Sequence, residues 1–193
     1  MRMKFHRPPV VEIIGYSGSG KTTLIERLIP YFRKHGLRVA VIKHTSHHHE
    51  FDKPGKDSYR LRVAGADAVF VSSPKMVAMF REVEEEWSIE RMLRHLPRRL
   101  DLVIAEGFKH GGYPCLEVFR RCTSEDLISR DFQNLLAVVG DDPGHLQVLH
   151  FHQDAIASIG RVIFEHVVQR STLKASCISQ PSYLISKKRS LPV

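Results

Sequence analysis

Gly15-Tyr16-Ser17-Gly18-Ser19-Gly20-Lys21-Thr22, read with the apolar run Val10–Ile14 directly before it, decides the fold. The octet has the spacing GxxxxGK[ST], and its context is the required one, a buried-strand signal before and a helical pattern after. Leu24, Ile25, Leu28, Ile29 and Phe32 recur at helical spacing, and Gly36 is a plausible C-terminal cap. Pro30 falls inside this helix and is expected to kink it. Gly15, Gly18 and Gly20 let the backbone turn its N–H groups towards phosphates, and the helix that opens near Lys21 adds its positive dipole end. The chemistry expected is therefore a nucleoside triphosphate with magnesium. Lys21 reaches the β and γ phosphates, Thr22 offers its hydroxyl to Mg²⁺, and Thr23 lies towards the α-phosphate.

Outward from the loop, short apolar strands alternate with helices. Strands are expected at 38–43, 68–71, 77–80, 102–105, 116–119, 135–139 and, more weakly, 148–151. A short helix is expected at 58–64, an amphipathic one through Ile89, Met92, Leu93 and Leu96 with Ser88 as N-cap, and a closing one through Ile156, Ile159, Val162, Ile163 and Val167. Apolar strands alternating with helices imply an α/β fold of the P-loop NTPase type, a mostly parallel sheet flanked by helices on both faces. Residues 1–170 are expected to form one nucleotide-binding domain. Residues 171–193, rich in Ser, Lys and Pro and without periodicity, read as a poorly ordered basic tail.

A carboxylate at the end of a neighbouring strand should complete the magnesium shell. Glu106 follows the apolar run 102–105 and is that candidate, whereas Asp101 precedes the run and belongs at its far end. The loop after the second strand, residues 43–58, has the position of a γ-phosphate sensor. His44 opens it, and Asp52 and Asp57 are candidates for magnesium or water contacts. The four histidines of this loop, His44, His47, His48 and His49, tempt one towards zinc, but adjacent histidines do not converge on one ion and no thiol or carboxylate has a familiar ligand spacing. Lys109 is a candidate contact to an anion. Asp141-Asp142, at the end of the strand 135–139, is placed for base recognition, but no NKxD motif occurs, so guanine and adenine both stay open.

The net charge of +8 suggests nucleic acid, yet Arg2, Lys4 and Arg7 carry +3 and Lys174, Lys187, Lys188 and Arg189 carry +4, leaving residues 10–170 with +1. A nearly neutral body with basic ends argues against a nucleic-acid surface. Three cysteines, Cys115, Cys122 and Cys177, do not make a disulfide framework. No apolar run reaches the ~18 residues of a membrane span, and no signal peptide is recognisable, so a cytoplasmic protein is expected.

Four blocks together, GYSGSGKTTLIERLIP (15–30), VAVIKH (39–44), FDKPGKDSYRLRVAGAD (51–67) and DLVIAEGFKHGGYPCLEVFR (101–120), resemble the MobB family of molybdopterin-guanine dinucleotide biosynthesis. The likeness spans about residues 10–170, and the DKPGKDS and EGFK blocks are its specific part. It implies a GTP-binding accessory protein with weak GTPase activity. Such a protein is a homodimer that assists the guanylyltransferase joining GMP to molybdopterin, with molybdopterin itself a possible ligand. By resemblance, Gly15 to Thr23 hold phosphates, Thr22 and Glu106 serve Mg²⁺, and Asp52, Lys56, Asp57 and Ser58 fall on the family's signature loop. A small-molecule kinase is the alternative. Arg98-Arg99 or Arg120-Arg121 would serve it, but no lid-like insertion is evident. A nucleic-acid-dependent ATPase is disfavoured by the neutral body.

Overall fold

The computed structural model describes residues 7–45, 50–108, 112–144 and 147–171. The histidine run 47–49, Lys109 and the basic tail beyond 171 lie outside the described residues. Two compact units are present, one of residues 1–41 with 98–193 and one of residues 42–97.

In chain order the elements are β1 (Val10–Ile14), α1 (Lys21–Lys34), β2 (Val39–Lys43), α2 (Asp57–Val63), β3 (Val69–Ser72), β4 (Val77–Phe80), α3 (Ile89–Leu93), β5 (Leu102–Glu106), β6 (Cys115–Phe119), β7 (Leu135–Gly140), β8 (Leu149–Phe151) and α4 (Ile156–Ile163). The six-stranded sheet has the order β2-β5-β1-β6-β7-β8. β1 pairs in parallel with both β5 and β6, and β6–β7 and β7–β8 are parallel too. This is the mostly parallel α/β arrangement expected from the apolar strands.

Alternation along these strands builds the core. Val11 and Ile13 of β1, Leu102 and Ile104 of β5, Leu116 and Val118 of β6, and Ala137 and Val139 of β7 belong to one buried cluster. Leu24, Ile25, Leu28 and Phe32 of α1 and Ile159 and Ile163 of α4 complete it. Fully burying such side chains stabilises by about 1.5–3 kcal/mol each. α1 and α4 pack closely because Gly160 has no side chain, since a Cβ there would lie 2.2 Å from a ring carbon of Tyr31.

α1 spans Lys21–Lys34 with Pro30 inside it, and Pro30 is exposed, so water can offset the lost backbone bond. Two elements differ in form from the expectation. The closing helix ends at Ile163 and continues as a π-helical turn, Phe164–Gln169. β3 and β4 form their own two-stranded antiparallel sheet. On one face of it Phe70, Val77 and Met79 are exposed.

Candidate functional site

β1 ends in a backbone conformation that only glycine tolerates. Gly15 has φ 141°, and a Cβ there would fall 2.4 Å from the Val118 carbonyl oxygen of β6. Tyr16, Ser17 and Gly18 are exposed beyond it, while Ser19 is buried. Gly20, with φ 100°, is the N-cap of α1, so the unbonded N–H groups of the first helical turn belong to this loop. Lys21 bends back over it, its Nζ donating to the carbonyls of Gly15 at 2.9 Å and Tyr16 at 2.7 Å. Thr22 and Thr23 are exposed on the same turn.

Parallel pairing of β1 with β5 sets Ile13 opposite Glu106, and Gly107 N donates to Ile13 O at 3.1 Å. That register carries the buried Glu106 carboxylate to the loop, where it accepts a hydrogen bond from the Thr22 hydroxyl at 2.7 Å. Asp101 sits at the opposite end of β5 and accepts from Arg38 N at 2.7 Å. Two hard oxygen donors therefore meet beside a positive helix end, the donor chemistry that suits Mg²⁺ bound together with phosphates. Among the described residues, no three His, Cys, Asp or Glu side chains gather to hold a metal ion.

In the unit of residues 42–97, Asp52 is buried. Its Oδ1 accepts from the Ser58 hydroxyl at 2.9 Å, and its Oδ2 has no hydrogen-bond partner. Lys56 is the exposed N-cap of α2, and Asp57 follows in its first turn, where the helix dipole favours a carboxylate. Asp57 lies 3.6 Å from Arg60. His44, just past β2, pairs with Glu86 at 2.5 Å. Arg62 links Glu50 and Glu82. The Asp52 backbone N–H, with Arg62, holds the Glu50 carboxyl below its ordinary range.

Sequence reasoning missed two buried carboxylates. Glu12 stands within VVEII and Glu117 within CLEVF, and both are buried. A charged residue inside an otherwise apolar strand was the available signal. Glu117 accepts from Ile128 N at 2.9 Å, from Ser129 N at 2.8 Å and from the Ser129 hydroxyl at 2.6 Å. Cys115 pairs in register with Glu12, and burial, together with the charges of Glu12 and Glu117, pushes its thiol up to about 12. Asp141 and Asp142 are engaged locally. Asp141 accepts from Arg121 N at 2.9 Å, and Asp142 from Gly144 N at 2.8 Å.

The family model described as MobB, Molybdopterin guanine dinucleotide synthesis protein B, matches residues 10–141. That span includes the phosphate loop, the second unit and Glu106. The chain is 38% identical over 146 residues to the molybdopterin-guanine dinucleotide biosynthesis adapter protein of Escherichia coli (strain K12), covering 72% of this chain and 82% of that protein. It is 39% identical over 136 residues to the protein of the same name from Haemophilus influenzae, covering 70% of this chain and 76% of that one. A crystal structure of molybdopterin-guanine biosynthesis protein B (mobB) superposes with a TM-score of 0.63 at 31% identity, covering 81% of this chain and 98% of that chain. A MobB homolog from Bacillus stearothermophilus gives 0.64 at 26% identity, covering 83% and 98%.

Proposed function

The chain belongs to the MobB family, and from that premise we propose that it is a GTP-binding adapter of molybdopterin guanine dinucleotide biosynthesis that assists a partner guanylyltransferase. The observation that carries the nucleotide half of this reading is the Thr22–Glu106 hydrogen bond at the mouth of the glycine loop. Backbone N–H groups from Gly15 to Thr23 bind the phosphates. Lys21 exchanges its two carbonyl partners for phosphate oxygens, and Thr22 and Glu106 hold Mg²⁺. The ion supplies neutralising charge to the phosphates. Asp52, with one buried carboxylate oxygen unbonded and the other held by Ser58, is a further candidate to bind Mg²⁺ or its water, on a switch-like loop that carries His44, Lys56, Asp57 and Ser58.

Turnover by the isolated protein is slow in this reading. The loop from Gly15 to Thr23 contains no arginine, and a supplied arginine finger is worth about 10³–10⁵ in rate. The adapter acts in the cytoplasm as a homodimer. The exposed Phe70, Val77 and Met79 face supports self-association, because apolar patches of this kind mark interaction surfaces. Molybdopterin is the second ligand in this reading.

Calorimetric titration with GTP and ATP, with and without Mg²⁺, tests the reading. GTP should bind more tightly than ATP and need magnesium, with turnover below about 1 s⁻¹. Preferred ATP binding with phosphorylation of a small metabolite would overturn it in favour of a kinase.

A further inference from the structure

Ser58 and Arg62 stand four residues apart on α2, so they share one face of the helix and reach the same segment of chain. That segment is Glu50–Asp52. The Ser58 hydroxyl donates to Asp52 Oδ1 at 2.9 Å. One turn on, Arg62 donates to Glu50 Oε2, and Glu50 Oε1 accepts from the Asp52 backbone N–H at 3.0 Å. One helix face thus fixes the side chain of Asp52 directly and its backbone through Glu50.

The group held in this way is an unusual one. Asp52 is only 5% exposed, and its Oδ2 has no hydrogen-bond partner. A carboxylate oxygen withdrawn from water and left unbonded destabilises the fold, and a bound ion or water is what relieves that cost. The geometry therefore keeps one oxygen in place for a ligand at the expense of stability.

Arg62 does more than a surface arginine. Its side chain is 14% exposed, and its guanidinium lies over the Tyr59 ring, 5.4 Å from the centroid. Nη2 donates to Glu50, and Nη1 donates to Glu82 Oε1 at 2.8 Å. Glu82 follows β4 by two residues, so the fork ties the Asp52 loop to the end of the β3–β4 hairpin. A planar guanidinium can hold two separate carboxylates in fixed directions, which the point charge of a lysine does not. Arg60, on the same helix, shows the contrast. It is 75% exposed and lies 3.6 Å from Asp57, an ordinary surface pair.

Resting on Asp52 as a magnesium group, we propose that Arg62 is its positioning residue: by tying Glu50 to Glu82, it holds the Asp52 carboxylate with Oδ2 ready for Mg²⁺ or its water. Arg62 itself does not touch the ion. The test is a magnesium series on the full chain, with GTP binding read by calorimetry. Arg62→Gln should raise the magnesium midpoint about tenfold or more, because groups that orient metal ligands change affinity about 10–100-fold. GTP binding without magnesium should stay at the wild-type level. Glu50→Gln cuts the same link from its more exposed end and should reproduce the shift, even if Arg62→Gln does not fold. Combined with Asp52→Asn, neither substitution should add to the shift that Asp52→Asn gives alone, since both act through that carboxylate. Arg60→Gln should leave the midpoint unchanged. A midpoint moved by Asp52→Asn but not by Arg62→Gln or Glu50→Gln overturns the positioning role. So does an additive effect in the double variants, or an equal shift in Arg60→Gln. An unmoved midpoint in Asp52→Asn is a different failure, which removes Asp52 from magnesium binding and overturns premise and positioning role together.

Discussion

The Thr22 hydroxyl donates to the Glu106 carboxylate across 2.7 Å, joining the first turn of α1 to the end of β5. These residues are 84 positions apart and meet because β5 pairs in register with β1, whose exit is the glycine loop. The hydrogen bond orients both oxygens towards one place, and groups that position metal ligands in this way affect metal affinity about 10–100-fold. Glu106→Gln and Thr22→Val should each weaken the magnesium dependence of GTP binding by about tenfold or more, whereas Thr22→Ser should preserve it. Calorimetry over a magnesium series reads this directly. A Glu106→Gln titration that overlays the wild type would move the role to Asp52 or Asp57.

Lys21→Ala should fold and bind triphosphate weakly. Lys21 Nζ bonds to loop carbonyls near the surface, so its removal leaves the core cluster untouched. Ligand at 100 times its dissociation constant adds about 2.7 kcal/mol to wild-type stability. The variant should lose most of the corresponding thermal shift with Mg-GTP. A full shift in Lys21→Ala would remove this lysine from the phosphate site.

Glycines at 15 and 20 separate steric fit from backbone strain. Both have positive φ, so alanine is strained at either position by about 1–2 kcal/mol. At Gly20 nothing lies within 4 Å of the added Cβ, and strain is the whole effect. At Gly15 the Cβ would also meet the Val118 carbonyl oxygen at 2.4 Å, which forces β6 away from β1. Urea unfolding should show Gly15→Ala clearly the more destabilised of the two. Equal losses would mean that β6 yields without penalty.

The sequence made the sheet legible because its central strands are short, apolar and bounded by turn residues. β1, β5 and β6 are buried throughout, so their identity needed no knowledge of their neighbours. The meeting of Glu106 with the loop from Gly15 to Thr22 was legible, because each follows directly on an apolar central strand. Pairing was not. β3 and β4 carry the same apolar signal as the main strands but pair only with each other, and nothing local distinguishes the two cases. The place of Asp141-Asp142 at a strand end was legible, but the partners of their carboxylates, Arg121 N and Gly144 N, were not. The partners of a turn carboxylate depend on a neighbouring strand end that the sequence does not display.

Cys115 supplies a test in the alkaline range. Its thiol is buried between Glu12 and Glu117, and burial first, then those two charges, raise it from 9.0 to about 12. The unfolded chain therefore loses this proton at lower pH than the folded one. Below pH 9 both states are protonated and the thiol adds no pH dependence. From pH 9 towards 12 the unfolded state binds fewer protons, so stability falls as pH rises, at up to ~1.4 kcal/mol per pH unit. Urea unfolding at intervals from about pH 7.5 to 10.5 should give a wild-type stability that declines more steeply than that of Cys115→Ala. Lysine and tyrosine ionisation contributes equally to both and cancels in the difference. Thiol labelling adds an independent reading. The exposed Cys122 should react with iodoacetamide in the native protein, and Cys115 only after unfolding. Parallel pH profiles for the two proteins, or rapid native labelling of Cys115, would show that the thiol ionises in the folded state and is not sealed between the carboxylates.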